Sequence, residues 1–281
     1  MEEIPAYTST KEMFRLLYDK KEQSLYTSHG IPMTVVCFCF LFFLGHTRLY
    51  INERNVTPSI FNEGAKDSIL LMQSIDISRY LKKGENIIAV WYAPGRTRSK
   101  SKQLSLEFHG WYTDSVSFYH KADETWWCKP LKGGSYNEKE HFDNRIYTTE
   151  WKSAEYQSSG WVHPTGAFND TVNYIFVDQL PYLTQNKLQM VLEPYQEEFD
   201  HQGCRIDFGR PFRGTIRLTI RSASKGTKLH INGNQYVCSG EMDEQAYYRF
   251  HAEHQKDFMI TWDKGFRRSN ITNIEGLEIS E

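Results

Sequence analysis

Between residues 215 and 221 the chain reads Thr-Ile-Arg-Leu-Thr-Ile-Arg, with an apolar side chain at every second position. A period of two is that of a β-strand with one buried face. Leu104-Ser105-Leu106-Glu107-Phe108-His109-Gly110 and Ser115-Val116-Ser117-Phe118-Tyr119 repeat the pattern. Other strands are predicted by short β-branched and aromatic runs at residues 35–43, 87–92, 172–177, 204–209, 228–233, 258–262 and 274–279. Gly45-His46 breaks the run 35–43, and Arg48-Leu49-Tyr50-Ile51-Asn52 after it predicts a hairpin. Residues 76–84 predict a helical turn closed by Gly84. Residues 10–18 predict a short helix capped by Ser9 or Thr10. Residues 132–159, rich in Gly, Asn and Glu, read as loop. Beyond residue 30 nothing is patterned as a long helix, which excludes a parallel α/β sheet. Strands punctuated at roughly 8–12-residue intervals point to an all-β fold of two antiparallel β-sandwich domains.

The texture changes between residues 179 and 198. Leu180-Pro181-Tyr182-Leu183 and Leu192-Glu193-Pro194-Tyr195 have the extended character that proline imposes on its neighbours. This places a linker at 180–195 and divides the chain into an N-terminal segment (1–30), a first domain (31–180) and a second (195–281).

Composition changes the picture in three ways. The net charge is −2 and no basic stripe appears, so nucleic acid is excluded as a partner class. The apolar run 33–44 is too short to span a bilayer and lies too far in for a secretory signal, so it reads as a buried strand and no membrane partner is expected. The five cysteines, Cys37, Cys39, Cys128, Cys204 and Cys238, are odd in number and show no Cys-x-x-Cys spacing, against a zinc site or a full disulfide framework. Aromatic residues make up 15% of the chain, and ring faces serve both a sandwich core and a sugar.

Two stretches carry a family resemblance. Leu49-Tyr50-Ile51-Asn52, then Asp76-Ile77-Ser78-Arg79-Tyr80-Leu81-Lys82-Lys83-Gly84-Glu85-Asn86-Ile87-Ile88-Ala89-Val90, resembles the galactose-binding-like jelly roll found in accessory domains of glycosidases. Ile206-Asp207-Phe208-Gly209, Gly214-Thr215-Ile216-Arg217-Leu218-Thr219-Ile220, Gly240-Glu241-Met242-Asp243-Glu244 and Gly265-Phe266-Arg267, in that order, resemble the sandwich that precedes the helical barrel of bacterial α-L-rhamnosidases. The resemblance implies an accessory, scaffold-like region of a glycoside hydrolase of polysaccharide degradation. A catalytic helical barrel of the same parent would be its partner, and a rhamnose-containing glycan a carbohydrate partner. The family's catalytic acids lie in that barrel and have no counterpart here, so the chain by itself is expected to be non-catalytic. Where related rhamnose-binding modules carry Gly-Asn-Gly-Trp-Tyr, this chain reads Ala89-Val90-Trp91-Tyr92-Ala93. A free-standing carbohydrate-binding protein and a structural protein-interaction module are the alternatives. The compartment stays open.

The candidate chemistry is sugar binding. Trp91, Tyr92 and Trp127 offer stacking faces, and Asp143 and Asn144 offer hydrogen-bond partners. Glu138, Glu140 and Asp143 form one acidic cluster, and Glu241, Asp243 and Glu244 another. Oxygen ligands at Asn137, Glu140 and Asp143 make a candidate calcium site, although Lys139, His141 and Arg145 are interleaved and compete for the same acids. No Gly-x-Ser-x-Gly elbow occurs.

Overall fold

The computed structural model describes residues 9–20, 36–43, 46–57, 59, 61, 71–82, 84–93, 104–111, 116–123, 125–136, 139–157, 159–164 and 186–280. The expected strand at 172–177, residues 180–185 of the linker, and Asn137 and Glu138 lie outside them. The described residues form an all-β protein. In its first half the strands are β1 (Ser9–Lys20), β2 (Val36–Phe43), β3 (His46–Ile51), β4 (Arg54–Asn55), β5 (Leu71–Asp76), β6 (Gly84–Ala93), β7 (Leu104–Trp111), β8 (Ser117–Lys121), β9 (Trp127–Tyr136) and β10 (Lys139–Asp143). The second half contributes β11 (Leu188–Leu192), β12 (Gln196–Phe199), β13 (Gly203–Arg221), β14 (Lys228–Ile231), β15 (Asn234–Val237), β16 (Asp243–Tyr247), β17 (Glu253–Trp262) and β18 (Ile271–Ile279). Helical structure among the described residues is limited to 3₁₀ turns at Ser78–Tyr80, Glu150–Lys152 and Arg268–Asn270. None of it is long and apolar enough to cross a membrane.

In the first half, the sheet β5-β2-β7-β8 faces the segment β9-β1-β6-β3-β4 of a larger sheet. Ile75, Leu106 and Phe108 from one side meet Leu49, Ile51, Ile88, Val90 and Tyr92 from the other to form one core. Strand β6 is buried on both faces. Its alternation sends Ile88, Val90 and Tyr92 into that core, and Ile87, Ala89, Trp91 and Ala93 into a second one. The second core continues through Phe142, Trp151 and Trp161 into Ile206, Leu218, Leu229, Phe258 and Ile260 of the C-terminal half. The two halves therefore share packed interior.

Strand β10 joins them. It pairs antiparallel with β9 through Lys139 and Glu140, and parallel with β15 through His141↔Gln235, Phe142↔Tyr236 and Asp143↔Val237. A single 14-stranded sheet thus passes through both halves. In the C-terminal half, β13 shifts register between Asp207 and Phe212. Its first part pairs with β12 and β17, and its later part with β16 and β18, wrapping the strand around the core. Gly209, at φ 78°, sits in that bend, where a side chain would be strained. The two strands expected at 204–209 and 215–221 are consequently one.

Four other expectations are corrected. Residues 10–18 are not a helix: β1 lies between β6 and β9, and pairing on both sides outweighs local propensity. Strands β2 and β3 are not a hairpin, because β2 pairs with β5 and β7 while β3 pairs with β6 in the facing sheet. Within 132–159, residues 132–136 and 139–143 are not loop but the end of β9 and all of β10. The turn at Ser78–Tyr80 ends in extended backbone at Leu81, and Gly84 already opens β6. Asp76 starts that turn as expected, accepting hydrogen bonds from the Ser78 N–H at 2.9 Å and the Ser78 hydroxyl at 2.6 Å.

Candidate functional site

Where β10 ends, the chain turns away from the shared sheet and one wall of a cleft begins. Asp143 anchors the turn. Its carboxylate accepts from the Arg145 backbone N–H at 3.0 Å and from the Arg145 guanidinium at 2.9 and 2.7 Å. These hydrogen bonds hold its acid below the ordinary carboxylate range. Asn144 follows, its backbone N–H donating to the Val237 carbonyl at 3.0 Å. Tyr147 to Glu150 continue this wall, and Trp151 plugs the core beneath it. The opposite wall is built by Tyr236 on β15, the turn at 238–242, β16 and Arg249. Between them lies a cleft of ≈ 470 Å³.

Glu244 stitches the walls. This buried carboxylate accepts from Asn144 Nδ2 at 2.9 Å, the Tyr236 hydroxyl at 3.0 Å, and the Ser239 and Gly240 N–H groups at 2.7 and 2.8 Å. Four donors satisfy it without a cation. Asp243 is paired with Arg221 at 2.8 Å. Below the floor, Glu140 accepts from the Arg249 and Phe250 N–H groups at 2.9 and 3.3 Å and lies 3.8 Å from His251 Nδ1.

The floor itself is aromatic and cationic. The Arg249 guanidinium lies 3.5 Å over the Phe142 ring and 4.4 Å from that of Tyr247. Arg48 reaches in from β3 and donates from Nη2 to the Arg249 carbonyl. Burial would raise the Tyr247 phenol, but the charges of Arg249 and Arg48 outweigh it and hold that group below its ordinary value. Tyr147 and Tyr236 are both raised, chiefly by burial.

The sequence-predicted residues scatter. Trp91 and Tyr92 are each 1% exposed and have no face for a ligand. Trp91 stands under the cleft instead, stacked on Tyr147 at 5.1 Å and edge-on to Phe250 at 5.0 Å. Trp127 does reach the surface, but away from the cleft, with the His163 ring 4.0 Å from its own. Asn144 lines the cleft, whereas Asp143 is held at the turn by Arg145. The calcium ligands do not fit a cation: backbone N–H groups point at Glu140, a guanidinium grips Asp143, and Asn137 lies outside the described residues. Among the described residues no group of three His, Cys, Asp or Glu side chains converges to hold a metal. Sequence reasoning missed Arg48, Tyr147 and Arg249. Tyr247 is also outside the predicted set, and nothing local marks the two arginines, which meet only through tertiary packing.

The sequence matches a family described as the α-L-rhamnosidase N-terminal domain over residues 36–181. A search of curated proteins finds no match. Among solved structures, an α-L-rhamnosidase from Dictyoglumus thermophilum aligns over 97% of this chain and 32% of its own, with 18% identity and a TM-score of 0.76. A native α-L-rhamnosidase from Aspergillus terreus aligns over 99% of this chain and 35% of its own, with 15% identity and a TM-score of 0.78. A Streptomyces avermitilis α-L-rhamnosidase, solved with L-rhamnose, aligns over 97% of this chain and 29% of its own, with 17% identity and a TM-score of 0.73. At these identities the likeness is one of fold, and the chain spans about a third of the length of the structures it matches. The family match over residues 36–181 covers more than half of the sequence, and the chain belongs to the family of α-L-rhamnosidase N-terminal domains.

Proposed function

We propose that this chain is a non-catalytic accessory region of an α-L-rhamnosidase-like glycoside hydrolase, and that it contacts carbohydrate through the cleft between its two sandwiches. The first sandwich is read as a galactose-binding-like jelly roll, with the boundary between the two domains at 180–195. The observation that carries the reading is the ≈ 470 Å³ cleft, in which Tyr147 and Tyr247 stand beside Asn144, Gln245 and Arg249. Aromatic surfaces with a few directed donors and acceptors, in a cleft of this size, are what a sugar requires. Hydrolysis is not proposed, because Asp143, Asp243 and Glu244 are each held by internal partners rather than presented as an acid–base pair.

Calorimetry with L-rhamnose and with rhamnose-containing oligosaccharide tests the reading. Millimolar ligand is needed, since a millimolar dissociation constant is only about −4 kcal/mol. Heat that disappears in Tyr147→Ala or Asn144→Ala supports the cleft, and the absence of heat with any sugar removes the binding reading. Turnover of an aryl α-L-rhamnoside, lost in Glu241→Gln, would overturn the non-catalytic reading. A bracing role for a catalytic barrel is favoured by the exposed Tyr195 and Phe199 on and beside β12, which are 77% and 66% exposed.

A further inference from the structure

We infer that the cleft recognises an acidic sugar, a uronate, through the unpaired guanidinium of Arg249. This rests on the carbohydrate reading and narrows it. Arg249 is 7% exposed, and among the described residues its guanidinium meets no carboxylate and makes one hydrogen bond, from Nη1 to the Tyr247 carbonyl at 2.9 Å. Among the described residues Nε and Nη2 find no acceptor, at a position that lines the cleft. A buried guanidinium with donors left unmatched is costly, and a planar fork with two such donors matches a carboxylate. The group is also held in advance: its Cζ lies 3.5 Å from the centre of the Phe142 ring and 4.4 Å from that of Tyr247, which restrains the fork before a ligand arrives.

The neighbours point the same way. Arg48, whose Nε is buried without a partner, adds a second positive charge behind the floor. The nearest acids make no direct ion pair with the Arg249 guanidinium among the described residues and are committed to other partners, although the charge of Glu140 is felt at Arg48. Glu244 is saturated by four donors, Glu140 is held by two backbone N–H groups and Asp243 by Arg221. Glu150 accepts from the Thr148 hydroxyl at 2.6 Å. Glu241, exposed at the rim, is screened by solvent. Against burial, the charges of Arg249 and Arg48 and a hydrogen bond from Arg48 favour the ionised Tyr247 phenol at the floor. Tyr147, stacked on Trp91, supplies a ring beside the fork for the sugar body.

The test is calorimetry of the full chain with D-galacturonate and D-glucuronate, against D-galactose, D-glucose, L-rhamnose and acetate. The expected result is that a uronate binds roughly tenfold or more tightly than its neutral parent and than acetate, with an affinity that falls as salt rises. Arg249→Lys, which keeps the charge but loses the fork, lowers uronate affinity by about tenfold. The wild-type comparison of acid with neutral sugar stands even if a variant fails to fold. Equal binding of uronate and parent sugar, or undiminished binding by a folded Arg249→Lys, overturns the inference. Binding of L-rhamnose without binding of either uronate sinks the acidic-sugar inference and leaves the cleft reading intact. Silence with every sugar removes both.

Discussion

Glu140 on β10 reaches across the junction and accepts the Arg249 backbone N–H at 2.9 Å, tying the last strand of the N-terminal half to the segment that floors the cleft. Its own backbone N–H is taken by Asn234 Oδ1 at 2.6 Å, so the residue is fixed at both ends. Its removal should therefore be felt. Glu140→Ala leaves the Arg249 and Phe250 N–H groups buried and unsatisfied, and should lower unfolding free energy by about 2–4 kcal/mol. Glu140→Gln, which keeps an acceptor, should lose less. Urea unfolding of both variants checks this, and an unchanged midpoint for Glu140→Ala would show that the stitch contributes nothing.

Glu253 makes stability depend on acid. Burial pushes its carboxyl up, but hydrogen bonds from His251 and Asn232 and the nearby Lys139 charge outweigh that and hold it at about 2, against an ordinary 4.5. A folded-state value below the unfolded one means the native state favours the ionised form. The stabilisation is therefore complete above the unfolded value of 4.5 and is lost as pH falls from there towards 2. It amounts to up to about 3 kcal/mol, since each unit is worth about 1.4 kcal/mol. Denaturant midpoints measured from pH 6 down should fall across this window in the wild type, and less steeply in Glu253→Gln.

Trp91 and Trp127 should separate cleanly. Trp91→Ala empties a site that is 1% exposed and lies beneath the cleft, at a cost of about 3–5 kcal/mol. Trp127→Ala, at a ring that is 36% exposed, should cost far less. Acrylamide quenching in the single variants provides a second readout: the Trp127→Ala protein loses accessible fluorescence, and a folded Trp91 variant does not.

Limited proteolysis should cut first within the Pro-containing stretch 180–195, the boundary proposed for the two domains. The two fragments should then co-elute, because Phe142↔Tyr236 pairing and the common core around Trp91, Phe142, Leu229 and Phe258 hold the halves together. Fragments that separate in gel filtration without denaturant would show that this shared interior is too weak to join them.

The alternation at 215–221 and the buried run at 87–92 carried real information, because a strand's period of two is local and survives without context. The Asp76 turn was legible for the same reason, since an Asp side chain caps its own backbone two residues on. Asn144 was the one predicted binding residue that reached the cleft.

What the amino-acid sequence determined by itself was the class of fold: antiparallel sandwiches, the order of the motifs, and the family they belong to. Only tertiary structure decided which strands pair. Residues 10–18 look helical alone and become a strand because β6 and β9 offer hydrogen bonds on both sides. Tertiary structure also decided the site. Trp91 looked like a sugar platform, but β6 is covered on both faces, so its alternation leads from one core to another and never to solvent. Arg48 and Arg249 are 201 residues apart in sequence, and the charge they bring to one floor exists only because β10 lays the first sandwich against the second.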